Sequence, residues 1–299
     1  MALKKKDRGY QIAANIIMAV WSIFIILPFI LLLMSSVTEE NVLLTKGYGF
    51  FPEKFSLEAY AYIFKSGDKI LSAYAHTILY TVVGTVINVL FTALFAYPLS
   101  LKNLPGRKGW NFYVFFTMLF SGGLIPSYMM WTGTFHIKDT IWAQIVPSLM
   151  MGAMNVLLVR TYFATSIPDA LFEAAQIDGA SQIRIFRSIV IPLGKPILVT
   201  IGTFSGLAYW NDWNNGLYYI NKATNLYGIQ NLLNRMVTDL QFLSTNSTGL
   251  STDAVQQLAK TPTTGVQMAI AFVAILPILI LFPFLQKYYS KGISLGAVK

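Results

Sequence analysis

The sequence predicts an all-α polytopic membrane protein with six transmembrane helices. The first observation behind this is composition. Of 299 residues, 55% are hydrophobic and only 12% are charged, about half the charged share of a soluble domain. The second is length: six apolar runs each approach or exceed the roughly 20 residues that span a bilayer. The third is pattern: the runs are continuous, not alternating, as in helices and unlike barrel strands. The chain has no cysteine, so a disulfide framework and a thiolate metal site are both excluded.

In order, a cytoplasmic N-terminus (1–11) precedes a first span at 12–37. That run is too long for a signal peptide and lacks a small-residue cleavage pattern, so it reads as a retained anchor. An outer loop (38–72) leads to span 2 at 73–99, followed by span 3 at 112–131 and span 4 at 141–163. A polar stretch, 164–196, separates these from span 5 at 197–213. An outer loop rich in Asn, Thr, Gly and Ser (214–265) precedes span 6 at 266–288 and a tail at 289–299. The transmembrane body is one domain over about 73–288. Pro28, Pro98, Pro126, Pro147, Pro277, Pro283 and the pair Gly122-Gly123 are expected to kink or loosen their helices.

Topology follows from Lys and Arg. Fourteen of the 22 fall on one side: at both termini and in the loops after spans 2 and 4. Cationic loops stay in the cytoplasm, so both termini are placed there. The net charge of +9 is therefore a topology signal. No basic face with interleaved aromatics points to nucleic acid.

The polar stretch contains FEAAQIDGASQIRIFRSIVIPLGKP, residues 172–196. Ser166, Pro168 and Asp169 read as a helix start, with a capping hydroxyl, an early proline and an acid at the positive helix end. The helix should end near Ile177, where Gly179 can take a left-handed conformation. A second helix should run from about Ser181 to Val190, with Pro192 and Pro196 leading into span 5. Leu171, Ala174, Ala175 and Asp178 share one face of the first helix. Small side chains there suit close approach to a partner protein. The alternative, a helix lying on the membrane, calls for a large apolar stripe and a Lys/Arg-rich polar face, and neither is present.

These residues resemble the cytoplasmic EAA loop of permease subunits of bacterial ABC importers: Glu173, Ala174, Ala175, Asp178, Gly179 and Ala180, then Phe186, Ile189, Pro192, Leu193 and Pro196 in register. GFFPEKFSLEAY, AYPLS, FSGGLIPSYMM and FPFLQKYYSKGISLGAVK extend the likeness over nearly the whole chain, toward the second permease of complex oligosaccharide importers. The resemblance implies the type I importer permease fold, with 164–196 as a coupling loop docking on a cytoplasmic ATPase. Glu173 would make a charged contact, Ala174 and Ala175 would seat in the groove, and Gly179 would permit the turn. Ser294, Leu295 and Gly296 would form a second ATPase contact. The implied partners are a different permease subunit, two ATPase subunits and a solute-binding lipoprotein or periplasmic binding protein, in the lipid of the bacterial cell membrane. The implied cargo is an oligosaccharide.

The chain is not expected to be an enzyme. It has no G-x-x-x-x-G-K-[ST] loop. His76 and His136 form no metal-ligand pair, and GTFSG at 202–206 misses the nucleophile-elbow spacing by one residue. No cofactor is expected here; ATP and Mg would be bound by the partner ATPase.

Asn88, Gln144, Asn155, Thr200, Thr203 and Ser205 either line a pathway or bond neighbouring helices. Candidate contacts with substrate or binding protein are Tyr128, Trp131, Asn155, Tyr209, Trp210, Asn211, Asp212 and Trp213, because sugars take aromatic faces together with amides and carboxylates. The competing reading is an aromatic belt at the membrane interface. The loop 214–265 would dip into the binding protein as a scoop. An importer for a non-sugar solute, or a stand-alone channel or carrier, remains the alternative.

Overall fold

The computed structural model describes residues 5–65, 67–245 and 263–297. Two compact units are present: Met1–Asp68 with Leu233–Pro277, and Lys69–Leu232 with Ile278–Lys299.

In the first unit, α1 (Lys5–Ser36) carries a span-length apolar stretch whose large side chains are mostly exposed. That suits a helix whose solvent is lipid. The next stretch, expected as a loop, holds α2 (Glu40–Lys46) and α3 (Glu58–Lys65). The Glu40 carboxylate accepts the amides of Thr264 at 2.8 Å and Gly265 at 2.7 Å. It thereby caps the positive end of the last helix, Thr263–Ala297.

The second unit is built on α4 (Gly67–Ser100), longer by about two turns than the expected span. Where one span is expected over 112–131, α5 (Arg107–Leu119) is followed by a break at 120–123 and then α6 (Leu124–Met129), which continues as a π turn through Thr134. The two arms are bent by 109°. The glycine pair accounts for this, since Gly123 has φ +87, a conformation open to glycine.

Nor is 141–163 one helix. It comprises α7 (Trp142–Ile145), an unwound stretch at 146–152, and α8 (Ala153–Ser166). Ser166 thus ends α8 and caps nothing; the residue before α9 (Asp169–Ile177) is Pro168, which has no side chain with which to cap. The second polar helix, α10 (Gln182–Ile185), continues through a π turn at Phe186–Val190 into α11 (Ile191–Leu193), so it passes Pro192 instead of ending before it. The backbone then turns by 78° into α12 (Lys195–Trp210). Beyond it lie α13 (Asn214–Tyr219), a 3-10 turn (Thr224–Leu226) and α14 (Ile229–Thr245), in a region expected as a loop. The last helix is α15 (Thr263–Ala297).

Among the described residues, two helices are long and apolar enough to cross a membrane, or four if each bent pair counts as one span. The main core of the second unit joins Ala96, Val156, Val159, Phe163, Ile185, Val190 and Ile201. It binds α4, α8, α10 and α12 to one another at one end of the unit.

Candidate functional site

The polar stretch forms a helix–turn–helix with one buried side and one bare side. α9 closes with a Schellman turn. The Ala180 amide donates to the Ala175 carbonyl at 2.9 Å and the Gly179 amide to the Gln176 carbonyl at 3.0 Å. Gly179 has φ +71, with nothing within 4 Å of where a Cβ would stand. The Ser181 hydroxyl accepts the Arg184 amide at 3.3 Å and caps α10. Phe172, Ala175, Ala180, Phe186 and Ile189 pack on the main core. The Phe186 ring lies 5.3 Å from that of Tyr97, whose hydroxyl donates to Gln182 at 2.7 Å. Lys102 and Asp169 pair across the base.

Opposite this anchorage, Glu173, Ala174 and Asp178 are exposed, with Leu171 beside them. Ile177 is 86% and Ile183 79% exposed. The two alanines expected to act together therefore part company: Ala174 faces out and Ala175 faces in. The two isoleucines were missed by sequence reasoning. Their signal was available, because each is a large apolar residue in an otherwise polar segment. Pro192 is exposed on α11, and the helix carrying Ser294, Leu295 and Gly296 runs to Ala297.

The unwound stretch at 146–152 is held in the opposite manner. A broken helix in a membrane must find partners for the backbone groups it frees. Three elements supply them: Tyr209 of α12 donates its hydroxyl to the Ile145 carbonyl at 2.8 Å, Asn215 of α13 donates to the Pro147 carbonyl at 3.0 Å, and Asn88 of α4 donates to the Leu149 carbonyl at 2.7 Å. Ser205 in turn donates to the Asn88 side-chain oxygen at 2.7 Å. Asn88, Ser205 and Asn215 are all buried. Asn88 and Ser205 thus bond neighbouring elements, whereas Thr200 and Thr203 bond back to carbonyls of their own helix. Asn155 stands half-buried in the first turn of α8, its amide 3.9 Å from where a Cβ on Gly152 would lie.

The aromatic candidates separate into two groups. Tyr209 is 4% exposed and Trp210 7%. The Tyr209 ring occupies the space that a Cβ on Gly84 would fill, 2.3 Å from the nearest ring carbon. Trp210 tilts against Tyr74 at 6.3 Å and lines an apolar groove of about 400 Å³ with Gly202 and Gly206. Asn211 and Trp213 are exposed, and Asp212 caps α13 by accepting the amides of Asn214 and Asn215 at 3.2 and 3.4 Å. Tyr128 and Trp131 belong instead to a cluster with Tyr218, Tyr219 and Tyr227. Tyr128 and Tyr219 stack at 5.8 Å and 14°, and Trp131 tilts on Phe135 at 5.0 Å.

Beside this cluster the backbone is tied by Asp139, which has φ +59. Its carboxylate accepts the amides of Asn221 at 2.6 Å, Lys222 at 2.8 Å and Ala223 at 3.1 Å. Burial pushes this carboxyl up, but the three amides and nearby Lys138 outweigh it and hold it below its ordinary range. The stabilisation is thus complete above the ordinary carboxylate pKa and is lost only as pH falls through the depressed value.

Residues 103–295 match the family model described as "Binding-protein-dependent transport system inner membrane component". Protein LplC of Bacillus subtilis (strain 168) is 38% identical over 92% of this chain and 89% of its own length. The polygalacturonan/rhamnogalacturonan transport system permease protein YtcP of the same strain is 34% identical over 98% of this chain and 99% of its own. A chain from the crystal structure of a bacterial ABC transporter involved in the import of the acidic polysaccharide alginate superposes with a TM-score of 0.78. It is 26% identical, with 97% of this chain and 99% of that chain covered.

Proposed function

This chain belongs to the binding-protein-dependent transport system inner membrane component family, and from that premise we propose that it moves an oligosaccharide into the bacterial cytoplasm by alternating access. As an inner membrane permease component of an ABC importer it is not an enzyme. The cargo class rests on the relatives: YtcP is named for polygalacturonan and rhamnogalacturonan transport, and the structural neighbour is involved in alginate import. In this reading the chain crosses the membrane six times with both termini in the cytoplasm. It pairs with a different permease subunit and is powered by two ATPase subunits that hold ATP and Mg. It receives its cargo from an extracellular or periplasmic binding protein.

The observation that carries the coupling role is the bare face of the helix pair. A folded, capped, core-anchored element that leaves Ile177 and Ile183 exposed beside Glu173 and Ala174 has the apolar centre and polar rim of a docking surface. The tail segment 294–296 is the second proposed ATPase contact. The scoop proposed for 214–265 rests in part on 246–262, outside the described residues.

Extraction in mild detergent followed by identification of copurifying proteins tests the assignment. An ATPase and a second permease are expected. Recovery of the chain alone with transport activity retained would establish a channel or carrier and overturn the reading.

A further inference from the structure

Two arginines meet at one carbonyl where α4 ends. Leu99 is the second-last residue of that helix, so its carbonyl has no partner within the helix. Arg107, the first residue of α5, donates Nε to it at 3.2 Å, and Arg160 of α8 donates Nε to it at 3.4 Å. Both residues are half-buried, and Arg160 feels the positive charge of Arg107. Among the described residues neither forms an ion pair. The end of a helix carries roughly half a negative charge, against two full positive ones here. Like charges partly out of water call for a stronger offset than that, and the Nη hydrogens of both guanidinium groups remain to meet it. The nearby acids do not supply it. Arg107 lines a cavity of about 500 Å³ with Lys102, Asp169 and Glu173. Asp169 is paired with Lys102, and Glu173 is exposed and outside any ion pair among the described residues.

We propose that Arg107 and Arg160 together hold the phosphate of an anionic phospholipid in the leaflet that borders this end of the unit. The position suits a headgroup. α4 is long and apolar enough to cross a bilayer, so its end lies at a membrane boundary. Trp110 and Tyr113 follow Arg107 at successive turns on one face of α5 and are exposed, and such aromatics mark the level of the headgroups. Phe112 and Phe116, also exposed, offer apolar surface for the acyl chains further along the same helix. The chemistry suits a phosphate. Each guanidinium fork presents paired N–H donors to its oxygens, and one anion between the two relieves their mutual repulsion. In the orientation proposed above this is the cytoplasmic leaflet, whose surface is anionic; the phosphate contact itself does not depend on that orientation. A carboxylate from a docked protein is the other anion that would meet the pair. Charge pairs of docking proteins gather at an exposed rim, whereas these two arginines are half-buried beside lipid-facing aromatics.

The test uses the intact importer in mild detergent. Its melting is followed as phosphatidylglycerol, phosphatidylcholine of the same acyl chains, or sodium phosphate is added. A ligand that binds the folded state raises the melting temperature. The wild-type complex should be stabilised by phosphatidylglycerol at lower concentration than by phosphatidylcholine, whose own cation offsets its phosphate, and sodium phosphate should not reproduce the effect. Arg107→Gln and Arg160→Gln should each raise the half-maximal phosphatidylglycerol concentration about tenfold, the loss of one charge-assisted contact. Arg160→Lys, which keeps the charge without the fork, should raise it about threefold. Lys108→Gln removes an exposed charge next to the site and should change it less than about twofold. If one glutamine variant fails to assemble, the other and Arg160→Lys carry the test. An unchanged response in the arginine variants overturns the inference, as does an equal loss in Lys108→Gln, the sign of diffuse attraction to the surface. A wild-type complex without preference for phosphatidylglycerol, as a protein carboxylate in the site would give, also overturns it. So does sodium phosphate acting as well as the lipid, which would make the ligand a solution anion. None of these outcomes touches the transport reading.

Discussion

The unwound stretch at 146–152 and the helix pair at 169–193 are both short, irregular pieces set between long helices, yet they are stabilised in opposite ways. The first is closed. Its carbonyls are taken by Tyr209, Asn215 and Asn88, each from a different element, and the donors are buried. The second is open. Its turn is satisfied by its own backbone and one serine, and among the described residues its outer face, with Ile177 and Ile183, is left exposed. Where lipid is the solvent, an irregular backbone needs partners from the fold itself. Where water is the solvent, local capping is enough, and the spare face is free for another protein.

This contrast fails if substitutions in the two regions behave alike. The largest effect is expected at Gly84, whose missing side chain admits the Tyr209 ring. Gly84→Val should destabilise the fold by about 3 kcal/mol, read as a large drop in the melting temperature of the detergent-solubilised protein. Next, Asn88→Leu removes the donor to Leu149 and the acceptor for Ser205, at about 2 kcal/mol; the melting transition should again fall. At Gly179 a bulky residue meets no neighbour, but the left-handed backbone costs it about 1–2 kcal/mol. Gly179→Val should therefore lower melting less than Asn88→Leu does while cutting binding-protein-stimulated ATPase activity about tenfold. Normal uptake in that variant would remove the coupling assignment. The smallest effect is expected from Ser181→Ala, which loses one cap worth about 1 kcal/mol and should reduce coupling a few-fold with only a small fall in melting. Gly179→Asn sharpens the comparison, since asparagine tolerates the left-handed region better than valine and should retain most of the coupling.

The open region was the more legible of the two in the sequence. The turn at Gly179 and the cap at Ser181 join residues three to five positions apart, so their roles can be read from a short string. The break in 120–123 was also signalled locally, by Gly122-Gly123. The closed region was not, because an apolar run has the same composition whether it is helical or unwound. Its supports lie 61, 64 and 68 positions away in the chain. Pro147 and Gly152, which bracket the stretch, were its only local trace. Tyr209 and Trp210 were read as contacts for substrate or binding protein, against the competing reading of an aromatic belt at the interface. The burial of Tyr209 depends on space left by Gly84, more than a hundred residues earlier. Ser166 misled for the opposite reason: a good capping residue stood two positions too early, and α8 took it as its last residue.

The corner at Gly194 has a mechanical consequence. A Cβ there would lie 2.5 Å from the Phe163 ring and 2.7 Å from the Val190 carbonyl, so the helix pair and α12 meet at a joint with no slack. The 16 residues of α12 make an arm about 24 Å long. A tilt of about 5° imposed at the joint would carry the far end of that arm through about 2 Å, given that helix length. That end is Trp210, one residue past Tyr209, whose hydroxyl holds the unwound stretch. A push too small to break any packing at the base would thus arrive at Tyr209 as a displacement large enough to part a hydrogen bond.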